Sequence, residues 1–284
     1  MSKLVVTFTL EETGQSMSAE LEHIEEKKCF CGEDITVEEF KEIVKALREN
    51  VEYVKGMNLY QRENNALFSN SKEGDKLLAL GYCDYANFTA ILNQYMNSFG
   101  IKKCIHKIHF LAQCFHETQH FRKIEEEKKT DGNIKGGVHF KGRGLIHLTH
   151  DYNYLEYYDK VHNTLLFSKY KYKHKENEGV IKFIERIEKE NGKKDDELNI
   201  DFIENKLKPF AEQLSTILAF SIHSAVWFWQ SRNINALAEK NDIKAVSQKV
   251  NGTVKEPNGL PEREKYTNIL IEHFDYKNCI NNHL

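Results

Sequence analysis

The stretch Phe115-His116-Glu117-Thr118-Gln119-His120-Phe121 puts a carboxylate between two imidazoles. Two chemistries fit it. Read as H-E-x-x-H on a helix, His116 and His120 lie one turn apart and hold a zinc ion, with Glu117 as general base. Read instead together with the acidic residues downstream, Glu117 is the proton donor of a sugar-cleaving pair. The zinc reading lacks a third ligand: its extended pattern asks for Gly and His where this chain has Lys123 and Glu126. Glu125, Glu126, Glu127 and His139 come after it at no recognised ligand spacing. The carboxylate reading does have its partner, because Glu126 comes nine residues after Glu117. Inverting glycoside hydrolysis uses two carboxyl groups roughly 6.5–9.5 Å apart, one protonating the leaving oxygen and one activating a water on the opposite face. Phe115 and Phe121 are expected to give Glu117 the apolar setting a proton donor needs, while Glu126 sits among charges, as a base requires.

The elements that must position these groups read as helices. Ile101, Cys104, Ile105, Ile108, Leu111, Ala112 and Phe115 recur at three- and four-residue steps, which predicts a helix carrying Glu117 near its end, with Gln113 and Glu117 on one face. Thr36 and Glu39 have capping-box spacing before a stripe of Phe40, Ile43, Val44 and Leu47. Gly142 and Gly144 allow close backbone approach in the segment after the acidic triplet. Residues 1–34 read as a leader with one short strand near Val5, and 35–284 as the main domain. Residues 168–206 read as a charged insertion with one exposed helix. Helix dominates, so the expected class is mainly α.

Composition narrows the function. The chain has 284 residues, 40% of them hydrophobic and 29% charged, enough for a real core. No apolar run approaches the roughly 18 residues of a membrane span. A net charge of -3 argues against a nucleic-acid binder, and the lysines of Lys169 to Lys175 read as a solvated face. Of the six cysteines, Cys29 and Cys31 form a lone C-x-C, weak as a metal signal because no second pair completes four ligands. Cys104 and Cys114 read as small core residues. Trp227 and Trp229 could stack on sugar, but the apolar run around them places at least one in the core. His106 and His109 read as helix-face residues without chemistry, His139 and His150 as neighbours of the cleft, and Tyr154 as structural.

Four segments, in order, resemble glycoside hydrolase family 19, the lysozyme-like chitinases and phage-type endolysins. Phe110 to Thr118 (FLAQCFHET) looks like the family's FLAQ-x-x-HE helix. Phe140 to Tyr154 (FKGRGLIHLTHDYNY) resembles Y-x-GRG-x-IQLT-x-x-x-NY. Ser224 to Gly252 is similar to its Trp-rich and V-x-x-x-NG helices, and Leu260 to Tyr266 (LPEREKY) to L-x-x-R-x-x-Y. The matches span residues 100–274. The resemblance implies a lysozyme-like two-lobed helical domain with a substrate cleft. It implies Glu117 as general acid, Glu126 as second carboxylate (Glu125 or Glu127 if the loop shifts register), and Thr149 as holder of the attacking water. It implies Asn153 as a substrate contact, and Arg143, Asn251 and Arg263 as residues that orient the cleft, Arg263 also as a clamp on a carboxylate. His147 stands in the cleft where the family usually has Gln, Phe140 replaces a usual Tyr, and Gln119 and His120 replace small residues, which is expected to narrow the space beside Glu117.

The implied activity is inverting hydrolysis of β-1,4 bonds next to N-acetylglucosamine-type sugars. It needs no cofactor and no metal. Short loops between the motifs and the absence of a secretory signal at the start favour peptidoglycan over chitin as substrate. They also suggest synthesis in the cytoplasm and delivery by lysis or a contact-dependent secretion apparatus, with an immunity protein as a further expected partner. A binding or toxin module on a weakened enzyme fold is the alternative from another class.

Overall fold

The computed structural model of the chain describes residues 3–9, 16–22, 30–59, 84–127, 134–253 and 255–283. The fold is mainly helical. Its strands, among the described residues, are one antiparallel hairpin, β1 (Lys3–Thr9) with β2 (Ser16–Glu22), the first at the predicted alternating stretch.

Helix α1 (Val37–Arg48) opens on the predicted capping box: the Thr36 hydroxyl accepts the Glu39 N–H and the Glu39 carboxylate accepts the Thr36 N–H. Its buried stripe of Phe40, Ile43, Val44 and Leu47 meets α2 (Tyr85–Ser98), where Phe40 stacks on Phe88 with centroids 5.0 Å apart. Helix α3 (Cys104–Glu117) is buried on every side from Cys104 to Phe115 and is the central strut.

The next helices are α4 (Asp151–His162), α5 (Leu166–Lys171) and α6 (Val180–Asn191). A π-helical segment, Ile203–Leu207, then runs into α7 (Lys208–Thr216), and α8 (Leu218–Ser231) comes after it. The short α9 (Asn235–Ala238) leads to α10 (Ile243–Asn251), α11 (Leu260–His273) and α12 (Tyr276–His283). Helix α11 packs on α3, α1 and α10, forming one group of helices; α7 packs on α8 and on the π-helical segment, which α4 also meets.

Packing refines three expectations. The charged insertion is docked: α6 buries Val180, Phe183 and Ile184, and the Asp151 carboxylate accepts the Ile181 N–H at 3.2 Å. Of its lysines, Lys169 is paired with Asp195 and Glu197, both at 2.8 Å, while Lys171, Lys173 and Lys175 are exposed. Both tryptophans are core residues, Trp229 donating its indole N–H to Asn235 at 2.8 Å, so neither is a sugar platform. The end of the leader packs on the helices, with Phe30 buried and the Gly32 N–H bonded to the Lys102 carbonyl at 3.0 Å. No helix among the described residues is long and apolar enough to cross a membrane.

Candidate active site

An open cleft of about 720 Å³ lies between the end of α3, the end of α10 and the segment 146–153. Glu117 and Glu126 both line it, with His147, Thr149, Asn153 and Asn251. Of the residues singled out in the sequence, Arg143 and Arg263 stand behind the wall.

Glu117 is the last residue of α3. Its Oε1 accepts a hydrogen bond from Arg263 Nη2 at 2.5 Å, and Arg263 is buried, 1% exposed. The same guanidinium donates through Nη1 to Gln113 and through Nε to the Asn258 carbonyl at 3.0 Å. Gln113, one turn before Glu117, donates to Ser247 on α10 at 3.1 Å. The shared face of Gln113 and Glu117 is therefore gripped by one fork-shaped donor. The expected apolar setting is absent. Phe115 lies two positions from Glu117, hence on the other side of the helix, and packs against Phe121 (5.2 Å) and Tyr266 (4.8 Å) in the core. What faces the carboxyl is a guanidinium.

The helix stops at Glu117 because the next residues leave helical space. Gln119, His120 and Phe121 all have positive φ (50°, 73° and 55°), a conformation costing roughly 1–2 kcal/mol per residue. Arg48, fully buried, compensates: it donates to the His120 carbonyl (3.2 and 3.1 Å), the Phe121 carbonyl (2.8 Å) and the Asn58 carbonyl (2.5 Å). Thr118 ties the turn from within, its hydroxyl donating to the Cys114 carbonyl at 2.6 Å and accepting the Phe121 N–H at 3.1 Å. Replacing Arg48 with Met removes these donated hydrogen bonds, and the expected cost is on the order of 3 kcal/mol, read from urea unfolding.

This turn removes the geometric basis of the zinc reading. His120 is off the helix, so the one-turn spacing to His116 is lost. Both its ring nitrogens are bonded to tyrosines, Nε2 to the Tyr266 hydroxyl at 2.7 Å and Nδ1 to that of Tyr53. Neither His120 nor the exposed Gln119 lines the cleft, so the expected narrowing beside Glu117 does not occur.

Burial pushes the His116 imidazole down to about 3, helped by the charges of Arg263, His120 and His147. Burial, with Arg122 and Arg48 nearby, takes His120 to about 4; burial takes His109 to about 4 against its bond to Asn241. Each binds a proton more weakly folded than unfolded, where the value is about 6.5. The stability these groups contribute is therefore complete above about pH 6.5 and drains away as pH falls toward 4. The melting temperature, tracked by circular dichroism, is expected to drop steeply over that window.

Glu126 is placed by backbone. Its N–H donates to the Gly142 carbonyl at 2.9 Å, and its Oε2 accepts the Gly142 N–H at 2.7 Å. A Cβ on Gly142 would stand 2.9 Å from the Glu126 carboxyl carbon and 2.8 Å from His147 Cβ, so the glycine is a matter of space. Gly144, at φ 78°, lies against Ser221 and Ser224 of α8 and could not carry a side chain there. The acidic triplet thus separates by role. Glu125 points away from the cleft to Lys141, Arg143 (3.0 Å) and the Ser215 hydroxyl (2.8 Å). Burial opposes its charge, but those partners outweigh burial and hold it below the usual carboxylate range. Glu127 is exposed and paired with Lys123.

Arg143 is corrected from a cleft residue to a support. It is buried, bonded to Glu125 and to the His139 carbonyl at 2.7 Å, and absent from the cleft lining; His139 lines no part of it either. The neighbouring His147 ring donates its Nε2–H to the Lys123 carbonyl at 3.0 Å. The Thr149 hydroxyl donates to the His147 carbonyl at 2.7 Å, which leaves its oxygen as an acceptor. Asn153 donates to the Thr149 carbonyl at 2.7 Å and accepts from Arg232 at 3.0 Å. Asn251 accepts the Asn258 N–H at 3.3 Å, and His150 reaches the cleft with Nδ1 accepting from Lys135 N–H at 3.1 Å. Phe140 and Tyr154 are both buried, the Tyr154 hydroxyl donating to the Lys141 carbonyl at 2.7 Å.

Sequence reasoning missed Arg232, Lys249 and Tyr152, which line the cleft, and Arg48, which holds the turn after α3. Arg232 was within reach, because it sits one turn after Phe228 on an apolar helix. It now lies over Phe228 at 4.6 Å and pairs with Glu156 at 2.8 Å.

No protein-family model matches this chain, and no curated protein does. Among solved structures it is similar to a family GH19, class IV chitinase from Zea mays, at 15% identity and a TM-score of 0.40, over 85% of this chain and 92% of that one. A TM-score that low assigns no residue of one chain to a residue of the other.

Proposed function

We propose that this chain is a glycoside hydrolase cleaving β-1,4 bonds of an N-acetylglucosamine-containing polysaccharide by inversion. The observation that carries the reading is that Glu117 and Glu126 face one open cleft, each fixed by a buried or backbone donor. Arg263 occupies Oε1 of Glu117 and leaves Oε2 to protonate the glycosidic oxygen. A water donating one hydrogen to Glu126 and the other to the Thr149 oxygen would turn a lone pair toward the anomeric carbon, since the Thr149 hydrogen is already spent on a carbonyl. His147, Asn153 and Asn251 present polar edges for sugar hydroxyls and acetamides.

Peptidoglycan is the preferred substrate and chitin the alternative. Chitin is uncharged, whereas peptidoglycan carries carboxylates on its stem peptides. The cleft offers the exposed Lys249 to meet them. Incubation of the chain with purified peptidoglycan and with chitin oligomers is expected to release sugars with inverted, α configuration at the new reducing end, seen by proton NMR before mutarotation. Retained configuration would overturn the inverting scheme, and turnover of neither polymer would overturn the hydrolase reading.

A further inference from the structure

A second constellation lies at the opposite end of α3, roughly 20 Å from Glu117 at 1.5 Å per residue. Three sulfurs meet there from distant parts of the chain. Cys31 comes from the segment before α1, Cys104 is the first residue of α3, and Cys279 lies on α12. The sulfur of Cys279 is 3.5 Å from that of Cys31 and 3.3 Å from that of Cys104, and all three lie within 4.8 Å of one another. These separations are far beyond a bonded pair at ~2.05 Å. They approach the spacing of thiolates sharing one tetrahedral ion, which at ~2.3 Å metal–sulfur bonds stand about 3.8 Å apart. Cys104 and Cys279 are buried and Cys31 half-buried.

Backbone donors are already aimed at two of the sulfurs. The Phe30 N–H points at the Cys104 sulfur (3.0 Å) and the Cys104 N–H at the Cys31 sulfur (3.1 Å). The latter is an N-terminal amide of a 14-residue helix, where the dipole favours negative charge. Lys107, one turn along α3 and 1% exposed, donates to the Phe30 (2.7 Å) and Glu33 carbonyls. Among the described residues no carboxylate is bonded to it, but the charges of Asp34 and Glu33 act on it, beside Cys104 and Cys31. Three thiolates and a divalent ion sum to one negative charge, and the Lys107 ammonium stands one turn from that charge as a further counter-ion.

We propose that Cys31, Cys104 and Cys279 form a thiolate site for a soft divalent cation of the zinc class, separate from the cleft and structural in role. It fastens the segment before α1 and the last helix to the start of the helix that carries Glu117. The sequence holds a further thiol, Cys29, two residues before Cys31; it lies outside the described residues, and the site is argued without it.

The test uses the full chain, purified in reductant and titrated with Co²⁺ and Zn²⁺, with no activity readout. About one Co²⁺ per chain is expected, with a thiolate charge-transfer band in the near ultraviolet and intense tetrahedral bands in the visible, displaced by Zn²⁺. Cys104→Ser and Cys279→Ser are each expected to weaken binding by at least about tenfold. Should these variants fold poorly, the wild-type chain decides: zinc is expected to slow alkylation of Cys31, Cys104 and Cys279 by roughly tenfold, mapped by peptide mass spectrometry. No stoichiometric ion, binding unchanged in both variants, alkylation unaffected by zinc, or a disulfide within the trio that persists after purification in reductant would each overturn the proposal.

Discussion

Glu117→Gln is expected, under the proposed reaction, to lower polysaccharide turnover by at least about 100-fold, the usual contribution of one positioned acid. The substitution keeps the shape and an oxygen for Arg263 but removes the transferable proton. Because Arg263 is 1% exposed, exchanging the carboxyl oxygen it binds for an amide oxygen is also expected to cost on the order of 1–3 kcal/mol of stability. The two effects separate experimentally. Binding of a non-hydrolysed oligosaccharide and a circular dichroism melt report on the folded cleft, and initial rates report on the proton. A variant that binds, folds and still clears cell-wall suspensions at the wild-type rate removes Glu117 from the reaction.

Glu126→Gln is expected to cost about 10²- to 10⁴-fold, since the attacking water then lacks its proton acceptor. The loop itself should hold, because a Gln carbonyl can still accept the Gly142 N–H that now binds Oε2 at 2.7 Å. The neighbours are internal controls. Glu127→Gln touches an exposed carboxylate paired only, among the described residues, with Lys123, and is expected to leave the rate near wild type. Glu125→Gln strips a half-buried anion from Lys141 and Arg143 and is expected to show as lost stability before lost chemistry. A collapse of activity in Glu127→Gln with Glu126→Gln intact would place the base in the wrong register.

What the sequence alone determined about this protein is local and periodic. The capping box before α1, the apolar steps of α3, and the common face of Gln113 and Glu117 come from spacing, because helix geometry repeats every 3.6 residues, and the close approach at 142 and 144 comes from the glycines themselves. Tertiary structure decided where non-periodic side chains point. In Glu125-Glu126-Glu127 one residue faces the cleft, because its amide and carboxylate both meet Gly142, sixteen positions on. Arg143 turned inward because Glu125 and the His139 carbonyl offer it partners there. His120 left the helix because Arg48, from α1, offsets the strain of three left-handed residues. The trio of Cys31, Cys104 and Cys279 spans nearly the whole chain and has no spacing to recognise. Such groupings arise from contacts between segments remote in sequence, and their energies enter only when the chain has closed on itself.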